Sequence, residues 1–186
     1  MTTLNENGFL QYPGNYRQLL FYKKAIILYD MTYWFHHRYL ERGDRTKDQM
    51  EQAARSGKQN VVEGKADGMT SKEMEIKLLN TARGSLLELM EDYEDQLRSR
   101  RLEQWNAGHP RYDKMKEYCY RNHELKYYQP YYEKWSIEEF CNVALTLLHQ
   151  ADRGLMTYLQ TVEKAFLEEG GLREKMAAAR RNARGY

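Results

Sequence analysis

Residues 53–68, AARSGKQNVVEGKADG, come nearest to a phosphate-binding loop. Such a loop has the spacing GxxxxGK followed by Ser or Thr, because backbone N–H groups, the lysine and a hydroxyl cradle the phosphates and Mg²⁺. Here six residues separate Gly57 from Gly64, and Ala66 stands where the hydroxyl is required. The intervening residues have a helical pattern and no strand precedes them. We therefore predict a helix that packs closely at Gly57 and ends at Gly64.

The histidines and cysteines are the other candidates for chemistry. A di-iron site in a helical bundle uses Glu-x-x-His pairs, and no histidine here has a glutamate three residues before it. His36 falls within an apolar stripe, which favours a hydrogen-bonded core histidine over a metal ligand. Cys119 and His123 have i,i+4 spacing, which also arises easily by chance. We predict no catalytic residue, no cofactor, no metal site and hence no enzyme.

The composition indicates one mainly helical domain. The chain has 186 residues, of which 30% are charged and only three are proline, and long runs rich in Leu, Glu, Lys, Arg and Met favour helices. Aromatic residues make up 13%, including sixteen tyrosines, which suits half-buried surfaces and interfaces. The two cysteines form no disulfide framework, and no secretory signal or membrane span is evident. These features predict a cytoplasmic protein without a membrane partner.

Charge is distributed unevenly along the chain. The net charge is +2, but residues 172–186 hold five basic residues and one acidic residue, which is a net charge of +4. Residues 1–171 are therefore slightly acidic overall. We predict a helical domain at 1–171 and a basic tail at 172–186 that contains a short helix.

The first of four long helical segments spans residues 16–42 and has an unusually wide apolar surface. Beside its main stripe lies a second one, formed by Leu20, Ile27, Met31 and Trp34. A helix with so wide an apolar surface must be covered on more than one side. We expect the other helices to cover one side and a partner subunit to cover the other.

The second and third segments carry small residues where two helices could approach closely. The second begins near Asp44 or Thr46 and contains Gly57, and the third begins at Thr70 and contains Gly84. Because glycine inside a helix costs about 1 kcal/mol relative to alanine, we predict that the two glycines face each other. Arg83 and Glu63, beside these patches, are predicted to form an inter-helix ion pair.

The third segment is predicted to end near Trp105, after which the helical pattern weakens. Residues 106–135 are dense in tyrosine and are interrupted by Pro130, which indicates a crossover or an inserted arm. The fourth segment opens with a capping box, Ser136 to Glu139. Four long helices without strand candidates predict an all-α fold, an antiparallel up-and-down four-helix bundle with this Tyr-rich crossover between helices 3 and 4.

Two runs, DQMEQAARSGKQNVVEG (48–64) and SKEMEIKLLNTARGSLLEL (71–89), resemble a known family. It comprises the four-helix bundle proteins encoded in intervening sequences of bacterial 23S ribosomal RNA genes, with an N-x-x-E-G turn, a Ser-x-x-E helix start and an A-x-G-S-x-x-E-L segment. The matching residues are Asn60, Glu63, Gly64, Ser71, Ala82, Gly84, Ser85, Glu88 and Leu89. The crossover and the tail look like those of the longer subgroup with a C-terminal suffix segment.

The resemblance implies a bundle that assembles into a barrel-shaped homopentamer. The family includes the accessory variability protein of diversity-generating retroelements, which binds a reverse transcriptase and nucleic acid through a basic surface. A protein partner of that kind, RNA and DNA are therefore the partners that the resemblance implies. No catalytic residues are known for the family.

Two classes of function remain open. The first is a non-enzymatic oligomeric scaffold that docks a protein partner on its aromatic surface. The second is the binding of RNA or single-stranded DNA, with tyrosines of residues 127–135 stacked on bases. Phosphate contacts would come from basic residues near the end of the second helix and in the tail: Lys58, Lys65, Lys72, Arg173, Lys175, Arg180, Arg181 and Arg184.

Overall fold

The computed structural model describes residues 15–169, 176–177 and 180–181. Within these ranges the chain is helical and contains no strand, which confirms the predicted fold class at that level. The α-helices of residues 15–169 are α1 Leu20–Tyr39, α2 Arg45–Asp67, α3 Lys72–Ser99, α4 Tyr112–Arg121 and α5 Ile137–Glu169. Short 3-10 turns lie at Tyr16–Gln18, Leu125–Tyr127 and Gln129–Tyr131. No helix in the described ranges is both long and apolar enough to cross a membrane.

The helix starts follow local capping chemistry. The Asp44 carboxylate accepts a hydrogen bond from the Thr46 N–H at 2.9 Å, so Asp44 caps α2. The predicted capping box of α5 is confirmed: Ser136 Oγ accepts from the Glu139 N–H, and the Glu139 carboxylate accepts from the Ser136 N–H. The predicted Thr70 cap of α3 is wrong. Ser71 caps that helix, because its Oγ accepts from the Met74 N–H at 3.1 Å.

Two helix ends differ from the prediction. Helix α2 continues past Gly64 to Asp67, so Gly64 does not end it. Gly64 is buried within the helix, and a Cβ atom there would lie 3.3 Å from the Cβ of Leu78 on α3. Helix α3 ends at Ser99, before Trp105. At the end of α3 the backbone turns locally, because Arg101 has φ 56° and the Leu102 N–H donates to the Leu97 carbonyl oxygen at 2.9 Å. Gly64 stays helical where it packs against Leu78.

The four long helices contact one another in a closed order: α1 packs against α2 and α5, and α3 packs against the same two helices. Their shared core contains an aromatic group in which Phe35 lies 5.3 Å from Tyr93 and 5.5 Å from Phe140, measured between ring centroids. Arg83 Nε on α3 donates to Asp152 Oδ1 on α5 at 2.6 Å. The predicted Arg83–Glu63 pair is therefore wrong, because Arg83 faces α5 and Glu63 is exposed.

Close approach of α2 and α3 occurs at one of the two predicted glycines. A Cβ atom at Gly57 would lie 2.7 Å from Cδ2 of Leu86 and 3.6 Å from the Ala82 carbonyl oxygen, so α3 fills the space beside it. Gly84 is exposed and has open space beside it. The prediction that the two glycines face each other is therefore wrong. Close packing against α3 therefore explains a glycine at position 57, and no packing contact explains the glycine at position 84.

Residues 100–136, hereafter the connector, join α3 to α5 and lie against the helices. Tyr128 and Tyr132 of the connector are almost completely buried. Arg38 Nη1 donates to the Tyr132 carbonyl oxygen at 2.8 Å, and the Tyr39 hydroxyl donates to the Trp135 carbonyl oxygen at 2.6 Å. The crossover is thus a packed part of the fold rather than a projecting arm.

The second apolar stripe of the first helix is partly covered within the chain. Ile27 and Met31 are buried, and Trp34 lies 5.9 Å from Tyr132 between ring centroids. Leu20 and Trp34 remain 52% and 39% exposed. The expectation that a partner subunit covers the whole stripe is therefore wrong for Ile27 and Met31, which this chain covers itself.

Candidate binding site

Trp105, in the connector, hydrogen-bonds to the start of α5. Its backbone N–H donates to Asn142 Oδ1 at 2.7 Å, and its indole Nε1–H donates to Glu138 Oε1 at 2.9 Å. One ring face stacks on His109, with centroids 4.5 Å apart and planes 9° apart. Asn142 Nδ2 also donates to the Glu103 carbonyl oxygen at 2.9 Å. These bonds hold Trp105 in one orientation at the junction of the connector and α5.

Lys24 holds the C-terminal end of α4. Its Nζ donates to the Cys119 carbonyl oxygen at 2.8 Å and to Gln150 Oε1 at 2.7 Å, so one buried side chain of α1 joins α4 and α5. Burial lowers the pKa of Lys24 to about 8, while the neighbouring Cys119 raises it. Helix α4 is therefore fixed to α5 near both ends, through the ion pair of its N-cap residue Arg111 with Glu139 and through Lys24.

A groove of about 340 Å³ lies along one side of α4, between that helix, the end of the connector and α5. We call it the aromatic groove. Its apolar lining consists of Trp105, Met115, Tyr118, Tyr131, Trp135 and Val143. Tyr131 stacks on Trp135 with centroids 5.6 Å apart and planes 12° apart, and Tyr118 meets the Tyr131 ring edge-on at 6.4 Å. Tyr131 remains 41% exposed, so this aromatic wall faces solvent.

Cationic side chains flank the aromatic groove. Arg111 Nη1 lies 2.6 Å from Glu139 Oε1, and its guanidinium lies 5.7 Å from the Trp105 ring centroid. Lys134 Nζ lies 5.7 Å from the Tyr131 centroid. Lys114 also lines the groove, and within the described residues no carboxylate oxygen lies within 4.0 Å of it. The lining itself therefore holds two cations, Arg111 and Lys114, and one carboxylate, Glu139.

Two of the lysines predicted to bind phosphate form ion pairs with a buried carboxylate. Lys65 Nζ lies 2.8 Å from Glu75 Oε1, and Lys72 Nζ lies 2.7 Å from Glu75 Oε2. Lys65 also donates to the Tyr158 hydroxyl at 2.5 Å. Burial alone would raise the pKa of Glu75, but the hydrogen bonds from both lysines outweigh burial and lower it. The cluster joins α2, α3 and α5, and the Glu75 carboxylate neutralises one of its two positive charges.

Of the other residues predicted to bind phosphate, three fall within the described ranges: Lys58, Arg180 and Arg181. Lys58 is half-buried, with its Nζ 4.0 Å from the Tyr29 ring centroid. Arg180 and Arg181 are helical and exposed. Arg173, Lys175 and Arg184 lie outside the described residues. The predicted role of these residues in nucleic-acid binding stays a prediction.

The thiols and the imidazole considered for catalysis are poorly placed for it. Burial raises the pKa of Cys119 to about 12, which strongly disfavours the nucleophilic thiolate. His123 lies beyond the end of α4 at Arg121, so the predicted helical i,i+4 relationship with Cys119 is wrong. Cys141 is buried too, and its pKa is raised to about 12 for the same reason.

His36 is the buried histidine that its position in the apolar stripe predicted. Its Nε2 lies 2.9 Å from Glu51 Oε2, but the carboxylate is out of line with the ring, so the predicted hydrogen bond is not well formed. Burial and the adjacent His37 lower the pKa of His36, which favours the neutral ring. In the part of the chain that the structure describes, no three His, Cys, Asp or Glu side chains are grouped as metal ligands.

Sequence reasoning singled out the tyrosines of residues 127–135 but missed the other members of the aromatic groove. Trp105 lies in the irregular segment before α4, Arg111 is the N-cap of α4 and Met115 lies within that helix, all ahead of that tract. The available signal was the density of Trp, Tyr, Met and Arg across the connector, since these residue types are enriched at protein interfaces. Which of them meet is decided by how α4 packs on α5.

Comparisons of this chain with models of protein families, with curated proteins and with solved structures find no significant match.

Proposed function

We propose that this chain is a non-enzymatic docking protein whose aromatic groove receives a segment of a partner protein. The observation that supports this most directly is the make-up of the groove: its lining is dominated by Trp, Tyr, Met and Arg. Those residue types are enriched at protein interfaces, and Trp, Tyr and Arg supply most binding hot spots. Because hydrogen bonds fix Trp105 and Lys24 fixes α4, little ordering entropy is lost when the groove is filled.

The charges of the groove suggest the chemistry of the partner segment. The apolar floor suits one aromatic or aliphatic anchor residue. The lining holds two cations, Arg111 and Lys114, against one carboxylate, Glu139, and Lys134 lies beside the Tyr131 ring. Complementary charge favours a segment with Asp or Glu beside its anchor. A reverse transcriptase, implied by the family resemblance, is one protein that could carry such a segment.

The experiment is selection of short random peptides, displayed on phage, against the full-length protein. We expect enrichment of peptides with an apolar anchor next to acidic residues. Tyr131→Ala should weaken their binding at least tenfold, as expected for a hot-spot aromatic. Tyr120→Ala is the matched control, because Tyr120 is a 71% exposed tyrosine of α4 outside the groove. No enrichment, or equal binding to Tyr131→Ala, would contradict the proposal.

We also propose that the scaffold is an antiparallel four-helix bundle that forms a homopentamer, as the family resemblance implies. The closed order of contacts among α1, α2, α3 and α5 supports the bundle. The exposed side chains of Leu20 near the start of α1 and of Tyr33 and Trp34 near its end offer apolar surface to a neighbouring subunit.

The binding of RNA or single-stranded DNA is a second candidate function. It is favoured by exposed tyrosines with a cation over the ring: Lys126 Nζ lies 5.1 Å from the Tyr127 centroid and Lys134 Nζ 5.7 Å from that of Tyr131. Stacked bases beside such cations would bind in a strongly salt-dependent manner. A mobility shift with poly(U) or poly(dT) tests this. Loss of the shift with added salt and with Arg180→Glu, Arg181→Glu and Arg184→Glu supports it, and no shift at low salt excludes it.

A further inference from the structure

A second cavity, of about 430 Å³, lies on the opposite side of α4 from the aromatic groove. Helix α4 contributes Tyr112 and Lys116, helix α5 contributes Thr146, His149 and Arg153, and the connector contributes Asn106. Its volume falls within the range of about 300–1,000 Å³ that is usual for small-molecule sites. We call it the polar cavity.

The cations of the polar cavity are not neutralised by carboxylates. Lys116 and Arg153 both line it, and within the described residues neither has a carboxylate oxygen within 4.0 Å. Asp152 lines it as well, but Asp152 Oδ1 is 2.6 Å from Arg83 Nε. The carboxylate in the lining is thus already paired with a cation from α3.

A third cation lies behind the wall of the polar cavity. Gln150, which lines the cavity, accepts the hydrogen bond from Lys24 Nζ and donates its Nε2–H to the Lys116 carbonyl oxygen at 3.2 Å. Lys24 is buried, and its ammonium bonds to a carbonyl and an amide rather than to a carboxylate. In a medium of low dielectric constant this positive charge is only weakly screened. It therefore adds to the positive potential of Lys116 and Arg153.

The remaining polar lining is already ordered. Asn142 bonds to the backbone of Trp105 and Glu103, and the Thr146 hydroxyl donates to the Asn142 carbonyl oxygen at 2.9 Å. These groups are fully occupied within the protein. Groups still available to a ligand include the two cations, the exposed imidazole of His149, the polar end of Tyr112 and the amide nitrogen of Asn106.

We propose that the polar cavity binds a small phosphorylated molecule, with its phosphate between Lys116 and Arg153. A phosphomonoester dianion is matched in charge by two cations, and arginine offers the forked donor geometry that phosphate oxygens accept. The cavity is large enough for a body of sugar size beside the phosphate. Trp105 lines both this cavity and the aromatic groove, but the two cations proposed to hold the phosphate line only the polar cavity, so the proposal does not depend on the docking function.

The experiment is calorimetric titration of the full-length protein with ribose 5-phosphate, with ribose and with inorganic phosphate. We expect saturable binding of ribose 5-phosphate and none of ribose. Lys116→Gln and Arg153→Gln should each weaken binding at least tenfold, the effect expected for losing one charge-assisted hydrogen bond. Arg121→Gln is the matched control, because Arg121 is a cation on the same helix that pairs with Glu117 and lines neither site. Circular dichroism verifies that each variant is folded.

Two results would overturn the proposal. One is the absence of saturable binding of ribose 5-phosphate by the wild-type protein, a result that needs no variant. The other is binding that Lys116→Gln and Arg153→Gln leave unchanged. If poly(dT) binds in a manner that requires Lys116 and Arg153 while ribose 5-phosphate does not bind, the cavity recognises backbone phosphate instead, and the small-molecule proposal is wrong.

Discussion

The ammonium of Lys24 on α1 lies 2.8 Å from the carbonyl oxygen of Cys119, near the end of α4. The two residues are 95 positions apart, and the bond is buried. The same ammonium reaches Gln150 on α5. A single lysine therefore fixes the short helix that separates the aromatic groove from the polar cavity, so the charge state of this lysine affects the stability of both.

The Lys24 site should make stability depend on pH in the alkaline range. Burial lowers the pKa of Lys24 from 10.5 to about 8 in the folded protein. Between these values position 24 binds more protons in the unfolded chain than in the folded protein. The contribution of Lys24 to the free energy of unfolding therefore increases as pH rises from about 8 to 10.5. The free energy of unfolding of the wild type, relative to Lys24→Met, should rise over that range in urea denaturation.

The thiols and tyrosines that also titrate in this range are common to both proteins and cancel in the difference. Lys23→Met is the matched control, because Lys23 is the adjacent lysine and hydrogen-bonds the exposed Gln18 side chain. Parallel stability curves for the wild type and Lys24→Met would contradict the prediction.

The two helical glycines should respond in opposite ways to alanine. Gly57→Ala places a Cβ atom 2.7 Å from Cδ2 of the buried Leu86, so we expect a loss of about 1–3 kcal/mol from overpacking. Gly84→Ala meets open space and should stabilise α3 by up to about 1 kcal/mol. Urea denaturation measures both. Equal effects of the same sign would show that the close approach at Gly57 is absent.

Removing the charge of Asp92 should stabilise the protein at neutral pH. Burial, with added repulsion from Asp95 and Glu88, raises the pKa of Asp92 to about 6. Above pH 6 the residue is ionised in both the folded and unfolded states, and the folded state is destabilised by that charge; below about pH 4 the penalty is absent. Asp92→Asn should therefore gain about 1 kcal/mol at pH 7, allowing for solvent screening, and nothing at pH 4.

Thermal unfolding at the two pH values measures the effect of Asp92→Asn. Glu91→Gln removes the same charge from the neighbouring exposed position of α3 and is the control. An equal gain from Glu91→Gln would indicate a general charge effect and not a local one.

Light scattering on a sizing column tests the proposed assembly. A homopentamer has five times the 22.3 kDa mass of the chain. Leu20→Glu should reduce that mass if the exposed start of α1 is part of the subunit contact, whereas Leu167→Glu, at an 82% exposed position of α5, should not. A wild-type mass of 22.3 kDa contradicts the pentamer, and a pentamer that tolerates Leu20→Glu contradicts the contact.

Much of the helical architecture was predictable because its causes are local. Apolar spacing of three and four residues located the four long helices, and the Ser136–Glu139 capping box located the start of α5. The choice of capping residue between adjacent positions was not predictable. Ser71 and Thr70 have similar hydroxyls, and only the backbone geometry of the turn selects Ser71. Gly57 and Gly84 likewise look alike in the sequence, but α3 lies against only Gly57.

By itself the sequence determined the helix periodicity, the capping box of α5, the concentration of aromatic residues in the connector and the basic tail. Tertiary structure decided that Lys65 and Lys72 share Glu75, that Arg83 pairs with Asp152, and that Tyr132 covers α1. The physical reason is the separation along the chain of the residues that interact. A helix forms from interactions within four residues along the chain, whereas each of the two concave sites depends on α4 packing against helices that the chain reaches only after long intervals.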